Sequence, residues 1–213
     1  MYAMIETRPD IAFVVSTLSI YASNPSNEHW AALKRVFRYL NGTRDLGIVY
    51  SKGSLLGYTD SDWAGDITTR KSTSGYVFLL GSGAISWSSK RQPTVALSSC
   101  EAEYMASTQA TKEAIWLGRF LAELGYEGPD IDSVTIMGDN QGAIALASNP
   151  EYHARTKHID IQWHFVREQV EANAVTLQYI STAEMVADGL TKPLARIKFQ
   201  QFVKALGMKK GAE

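Results

Sequence analysis

The 213-residue sequence predicts an α/β fold in which helices cover the faces of a mixed, five-stranded sheet. Three observations carry that expectation. Strand-like runs succeed one another up to residue 88 without a helical pattern between them, which favours an antiparallel meander. A long helical pattern then opens near Ser98. Beyond it strand and helix alternate, which favours parallel additions to the same sheet. At 45% hydrophobic and 20% charged residues, the chain suits one packed domain, or one domain with an appendage.

The elements follow in order. Ile11, Val14, Val15, Leu18 and Tyr21 repeat at helical spacing until Asn24-Pro25 forces a turn. Trp30, Leu33, Val36, Phe37 and Leu40 form a second helical stripe, closed by Asn41-Gly42. A helical pair this short buries little alone, so both stripes need a surface to cover. Residues 46–50 make a weak strand candidate and residues 55–59 a better one. Residues 75–80 and 84–88 flank Gly81-Ser82-Gly83, a hairpin connection. A helix is predicted from about Ser98 to Leu124, with Ala102, Met105, Ala106, Ala110, Ala114, Leu117 and Leu121 on its apolar face and Gly125 as its stop. Further strands are predicted at 134–137 and 175–180, and helices at 141–148, 158–173, around Asp188 and at 196–206. Helical residues 1–45, a core domain over 46–208 and a tail at 209–213 are the expected divisions.

Bulk properties set limits on function. The net charge of −1 gives no whole-molecule attraction for polyanions, so nucleic-acid binding must use local basic patches. Lys34, Arg35 and Arg38, Arg70 and Lys71, Lys90 and Arg91, and Arg155 and Lys157 are such patches, each by itself an ordinary solvated face. A single cysteine, Cys100, excludes an internal disulfide framework and fits a reducing, intracellular setting. The apolar run at 11–22 is too short for a membrane span, and Glu6 and Asp10 leave no signal-peptide core.

Four acidic residues stand where one element ends and another begins: Asp60, Glu101, Asp139 and Asp188. Each has a structural rival. Asp60-Ser61-Asp62 reads as a strand-end turn. Ser98-x-x-Glu101 matches a capping box, which would turn the Glu101 carboxylate back onto its own backbone. Asp139 and Asp188 could cap the helices that follow them. Together they describe something else. Carboxylates from separate segments can converge on hard divalent cations, and a pair of ions about 3.5–4 Å apart can straddle a scissile phosphate.

The local motifs add a resemblance. Tyr58-Thr59-Asp60-Ser61-Asp62-Trp63-Ala64-Gly65-Asp66 continues through Arg70-Lys71-Ser72-Thr73-Ser74-Gly75-Tyr76. Ser86-Trp87-Ser88-Ser89-Lys90 precedes Ser98-Ser99-Cys100-Glu101-Ala102-Glu103-Tyr104. Asp139-Asn140-Gln141, Lys157-His158-Ile159-Asp160 and Ala187-Asp188-Gly189-Leu190-Thr191-Lys192-Pro193 follow. From about residue 46 to 208 the chain resembles the ribonuclease H domain of copia-type long-terminal-repeat retrotransposon Pol polyproteins. The stretch from Arg8-Pro9-Asp10-Ile11 to Asn41-Gly42-Thr43 resembles the end of the preceding reverse transcriptase region.

That resemblance implies a ribonuclease H-like fold and endonucleolytic hydrolysis of the RNA strand of RNA–DNA hybrids by a two-metal mechanism. It implies two Mg2+ ions, with Mn2+ as a substitute, held by Asp60, Glu101, Asp139 and Asp188. RNA would be recognised through its 2′-hydroxyls, without base reading. Lys90 and Arg91 are candidates for contacts with substrate phosphate, and the polymerase region of the same polyprotein is a candidate partner. Two departures stand out. The loop Ser181-Thr182-Ala183-Glu184 lacks the histidine many ribonucleases H carry before the last aspartate, and no Tyr-x-Asp-Asp polymerase signature occurs. A catalytically silent nucleic-acid-binding or assembly module is therefore the leading alternative, and the same fold acting on another nucleic acid is the third. His153, His158, His164 and Cys100 lack the spacing of a zinc site. All five tryptophans, Trp30, Trp63, Trp87, Trp116 and Trp163, read as packing residues.

Overall fold

The computed structural model describes residues 1–126, 128, 131–148 and 157–211. Of the residues weighed above, His153 and Arg155 lie outside the described residues. Helices α1 (Tyr2–Glu6), α2 (Ala12–Ser19) and α3 (Asn27–Gly42) precede strands β1 (Leu46–Ile48), β2 (Leu55–Ser61), β3 (Thr73–Leu80) and β4 (Gly83–Arg91). Then come α4 (Ser99–Glu123), β5 (Val134–Gly138), α5 (Gln141–Ser148), α6 (Lys157–Glu171), β6 (Val175–Tyr179), α7 (Arg196–Ala205) and β7 (Met208–Lys210). The helix expected around Asp188 is a short 3-10 turn, Val186–Leu190.

The principal sheet has five strands in the order β4-β3-β2-β5-β6. β2, β3 and β4 are antiparallel neighbours, whereas β5 adds parallel to β2 and β6 parallel to β5. The mixed sheet predicted from the order of elements is thus present. Alternation along β3 feeds two cores, as the two-residue period of a strand requires. Phe78 joins Leu55, Ile136, Ala110, Ala114 and Leu117 beneath α4, while Val77 and Leu79 join Ala12, Leu190, Phe202 and Leu206 on the opposite face. A third cluster, Tyr104, Ala143, Ala147, Trp163 and Val166, locks α4, α5 and α6 together.

The N-terminal helices dock on the second face. Trp87 donates through Nε1 to the carbonyl of Met4 (2.8 Å), and Ser16 Oγ donates to the carbonyl of Ser89 (2.7 Å). Arg8 and Asp10 form a buried ion pair that Tyr39 and Thr43 complete from the end of α3. Residues 208–210, assigned by sequence to a domain end and tail, instead pair antiparallel with β1. Their short charged run offers no strand pattern by itself; the partner supplies it.

The tryptophans divide against expectation. Trp163 is buried and Trp87 half-buried, whereas Trp30, Trp63 and Trp116 are more than half exposed. On α3 the stripe splits: Val36 is buried, while Trp30 and Phe37 face outward. The second stripe read from sequence thus covers only part of its own width.

One close approach sets the position of the 3-10 turn. A Cβ on Gly75, in β3, would lie 2.8 Å from both Leu190 Cβ and Thr191 Cγ2. Only glycine lets this turn lie directly against the strand. Gly75→Ala should therefore cost about 1–3 kcal/mol through overpacking, lowering Tm by roughly 3–10 °C. Gly42→Ala, where no atom lies within 4 Å of the added carbon, should leave Tm nearly unchanged in the same thermal melt.

Candidate active site

Two strand ends and one helix start bring carboxylates together at one end of the sheet. β2 and β5 run parallel with Tyr58 level with Met137. Two residues further along each strand stand Asp60 and Asp139, so the register itself makes them neighbours. Helix α4 starts beside this end. Ser98 caps it by accepting a hydrogen bond from the Glu101 amide (3.1 Å). One turn in, Glu103 faces the strand ends. Among the described residues, Asp60, Glu103 and Asp139 form the one group that offers ligand oxygens all within 4.8 Å of one another.

Glu101, the glutamate singled out from sequence, is not in this group. Its Oε2 accepts a hydrogen bond from the Leu97 amide (2.9 Å), so it serves the helix N-terminus. Residues two apart on a helix point nearly opposite ways, and only one of this pair can face the strand ends. The signal was present in the sequence. Glu103 is in phase with Ala110, Ala114, Leu117 and Leu121, the residues that pack on the sheet. Asp139 likewise escapes its rival role, because Asn140 Oδ1 caps α5 by accepting from the Ala143 amide (3.0 Å). Thr182 Oγ1 donates to Asp139 Oδ2 (2.7 Å), reaching in from the loop that lacks a histidine.

Asp188 approaches from the 3-10 turn pressed against Gly75. Its Oδ1 lies 2.6 Å from Lys192 Nζ, which is also 3.9 Å from Asp60 Oδ2. Thr191 Oγ1 donates to Asp60 Oδ2. Asp188 therefore joins Asp60 through Lys192 rather than through the tighter triad. Glu103, Thr182, Thr191 and Lys192 are the neighbours that sequence reading did not single out.

The other candidates lie close by. Asp62 accepts from the Thr73 amide and fixes the turn after β2. Arg91 is committed to Asp66 by an ion pair of 2.8 Å. Lys90 is exposed on β4, level with Ser74, which is itself level with Ser61 at the end of β2. No helix among the described residues is long and apolar enough to cross a membrane.

Sequence relatives place the chain in a lineage. No family model matches. The retrovirus-related Pol polyprotein from transposon TNT 1-94 of Nicotiana tabacum is 49% identical over 98% of this chain, and the Pol polyprotein from transposon RE2 of Arabidopsis thaliana is 46% identical over 95%. This chain belongs to the copia-type retrotransposon Pol family. It spans 16% and 14% of those two relatives, so it corresponds to a small part of such polyproteins. The solved structure of a ribonuclease H1 isolated from compost superposes with a TM-score of 0.49 at 17% identity, covering 65% of this chain and 93% of that one.

The chemistry of this Pol segment's cluster suits a hard divalent cation. Carboxylate oxygens are the ligands such ions take, and two of the three are nearly dry: Asp60 is 2% exposed and Glu103 8%, while Asp139 is half-buried. Burial pushes the Glu103 carboxyl up to about 9, helped by the charges of Asp60 and Asp139. Burial also pushes Asp60 up to about 6, while Thr191 and Lys192 oppose the rise and Asp188 and Asp139 add to it. Like charges confined in low dielectric hold protons when no cation balances them.

A pH dependence follows. Both groups have folded-state values above their unfolded ones, so the folded protein binds more protons from the ordinary carboxylate range up to about 9. Their contribution to stability is complete at low pH and is lost as pH rises through that window. In EDTA, Tm should therefore fall between pH 5 and pH 9 faster than in a Glu103→Gln variant. At pH 8 the variant should melt a few degrees higher than the parent, since about 1 kcal/mol moves Tm by roughly 2–4 °C at this size. Differential scanning fluorimetry checks both statements.

Proposed function

We propose that this chain hydrolyses the RNA strand of RNA–DNA hybrids endonucleolytically, using divalent metal held by Asp60, Glu103, Asp139 and Asp188. The observation that carries the reading is the triad of carboxylates, two buried and Asp139 half-buried, where β2 and β5 end and α4 begins. Membership in a Pol lineage and the motif resemblance from residue 46 to 208 supply the substrate class. A silent binding module gains little from such a cluster, because buried carboxylates repel a polyanion unless a cation intervenes.

The residues divide the work. Asp60, central and nearly inaccessible, would serve as the shared ligand. Glu103 and Asp139 flank it, and Asp188 closes the fourth side with Lys192 as its present counter-charge. Bound Mg2+ or Mn2+, as a pair, would supply a water of lowered pKa and charge stabilisation at the phosphate. Thr191 and Thr182 hold the Asp60 and Asp139 carboxylates in orientation. Lys90 is the freer of the two basic candidates for substrate phosphate, since Arg91 is spent on Asp66. The exposed Trp30 and Phe37 of α3 suit contact with the polymerase region of a longer polyprotein.

Cleavage of a labelled hybrid in Mg2+ or Mn2+, beside duplex DNA and duplex RNA, tests the activity. Glu103→Gln and Asp139→Asn should each lower the rate by about two orders of magnitude or more, the loss expected on removing several kcal/mol of charge stabilisation. Glu101→Gln should retain activity within about tenfold, the factor corresponding to loss of one helix-end contact. Equal damage from Glu101→Gln and none from Glu103→Gln would reverse the assignment. Lys90→Ala should reduce the slope of log affinity against log salt by about 1, measured on the hybrid by fluorescence anisotropy.

A further inference from the structure

Lys192 has no part in building the fold's cores, yet its ammonium sits among the acidic side chains. Its Nζ lies 2.6 Å from Asp188 Oδ1 and 3.9 Å from Asp60 Oδ2. The backbone fixes this placement. The amides of Thr191 and Lys192 both bond to the carbonyl of Asp188, at 3.3 and 3.1 Å, so the side chain at position 192 must return over the aspartate four residues earlier. The two carboxylate side chains are 2% and 7% exposed, while the lysine side chain is 40% exposed. The acids are fixed and dry; the cation is held on a flexible stem that reaches water.

Resting on the metal-dependent reading above, we propose that Lys192 is a tethered competitor for the divalent cation, occupying the Asp60–Asp188 side of the cluster until metal displaces it. A magnesium ion binds carboxylate oxygens at about 2.0–2.1 Å. An ammonium 2.6 Å from Asp188 Oδ1 competes with the ion for the lone pairs of that oxygen. Repulsion between the two cations acts in the same direction. Lys192 can leave because its stem is half in solvent; Thr191, 1% exposed, cannot. The ammonium thus balances part of the charge in the metal-free protein and sets how much cation is needed to fill the site.

Metal binding, read without reference to cleavage, tests this. The midpoint of the Mn2+-induced rise in Tm is measured for the parent protein, Lys192→Met, Lys192→Gln and Lys192→Arg, and repeated by isothermal titration calorimetry. Loss of the charge should lower the half-saturating Mn2+ concentration by about tenfold in both neutral variants, a magnitude reduced from the buried-pair limit because the lysine is part-exposed. Lys192→Arg keeps the charge and should stay within about threefold of the parent. Two neutral variants guard against one that folds poorly. A rise in Tm confined to the neutral variants would also support the proposal, as complete masking by Lys192. Unchanged or weaker binding in the neutral variants, with normal binding by the parent, overturns the proposal and leaves the metal site standing. No response in any protein overturns both.

Discussion

The constraint on which this structure turns is the burial of Asp60 at the end of the central strand β2. A charge in that position is costly unless it is hydrogen-bonded, balanced or protonated. Every neighbouring element answers to it. Gly75 on the adjoining strand admits the 3-10 turn at contact distance, and the turn delivers the Thr191 hydroxyl and the Lys192 ammonium to the same carboxylate. Helix α4 and strand β5 meanwhile bring two more acids to it, raising the charge the site must settle. The arrangement stays strained toward protonation in the absence of a cation. That imbalance is what a bound cation would relieve.

Much of the fold could be read in the sequence because its signals were local and agreed with one another. The α4 stripe, its Ser98 cap and its Gly125 stop define one helix, observed over Ser99–Glu123. The split between antiparallel and parallel strands followed from connection lengths, since a parallel partner needs a crossover. Pairing of β1 with β7 was illegible. Three-residue strands at 46–48 and 208–210 gain their identity only from each other. Exposure of Trp30 and Trp116 was missed for a related reason: helical spacing identifies an apolar stripe, but the width of that stripe covered by a neighbour is a tertiary fact.

Asp60 and Asp139, singled out from sequence, stand in the acidic triad, and the glutamate beside them is Glu103 where the sequence reading named Glu101. Asp60, Asp139 and Asp188 each end a segment, and chain position alone drew attention to them. At Glu101 the cap rule and the resemblance pulled in different directions, and Glu103 was not weighed. A glutamate three residues after a capping serine is placed to turn back along the helix, and Glu101 does so toward the Leu97 amide. Helical phase brings Glu103 to the strand ends, because it shares the face of Ala110 and Ala114 that rests on the sheet. The hydroxyls of Thr182 and Thr191 could not be found this way. They become neighbours of Asp139 and Asp60 across 43 and 131 residues of chain.

The proposed cation site takes its carboxylates from β2, α4 and β5, with Glu103, not Glu101, as its glutamate. Anomalous diffraction from crystals soaked in Mn2+ addresses it directly, because the ion's position is read without assuming any activity. The expected result is a peak bounded by oxygens of Asp60, Glu103 and Asp139, with the Glu101 carboxylate still on the Leu97 amide. A peak ligated by Glu101, or a cluster that stays free of Mn2+ at saturating concentration, would contradict it.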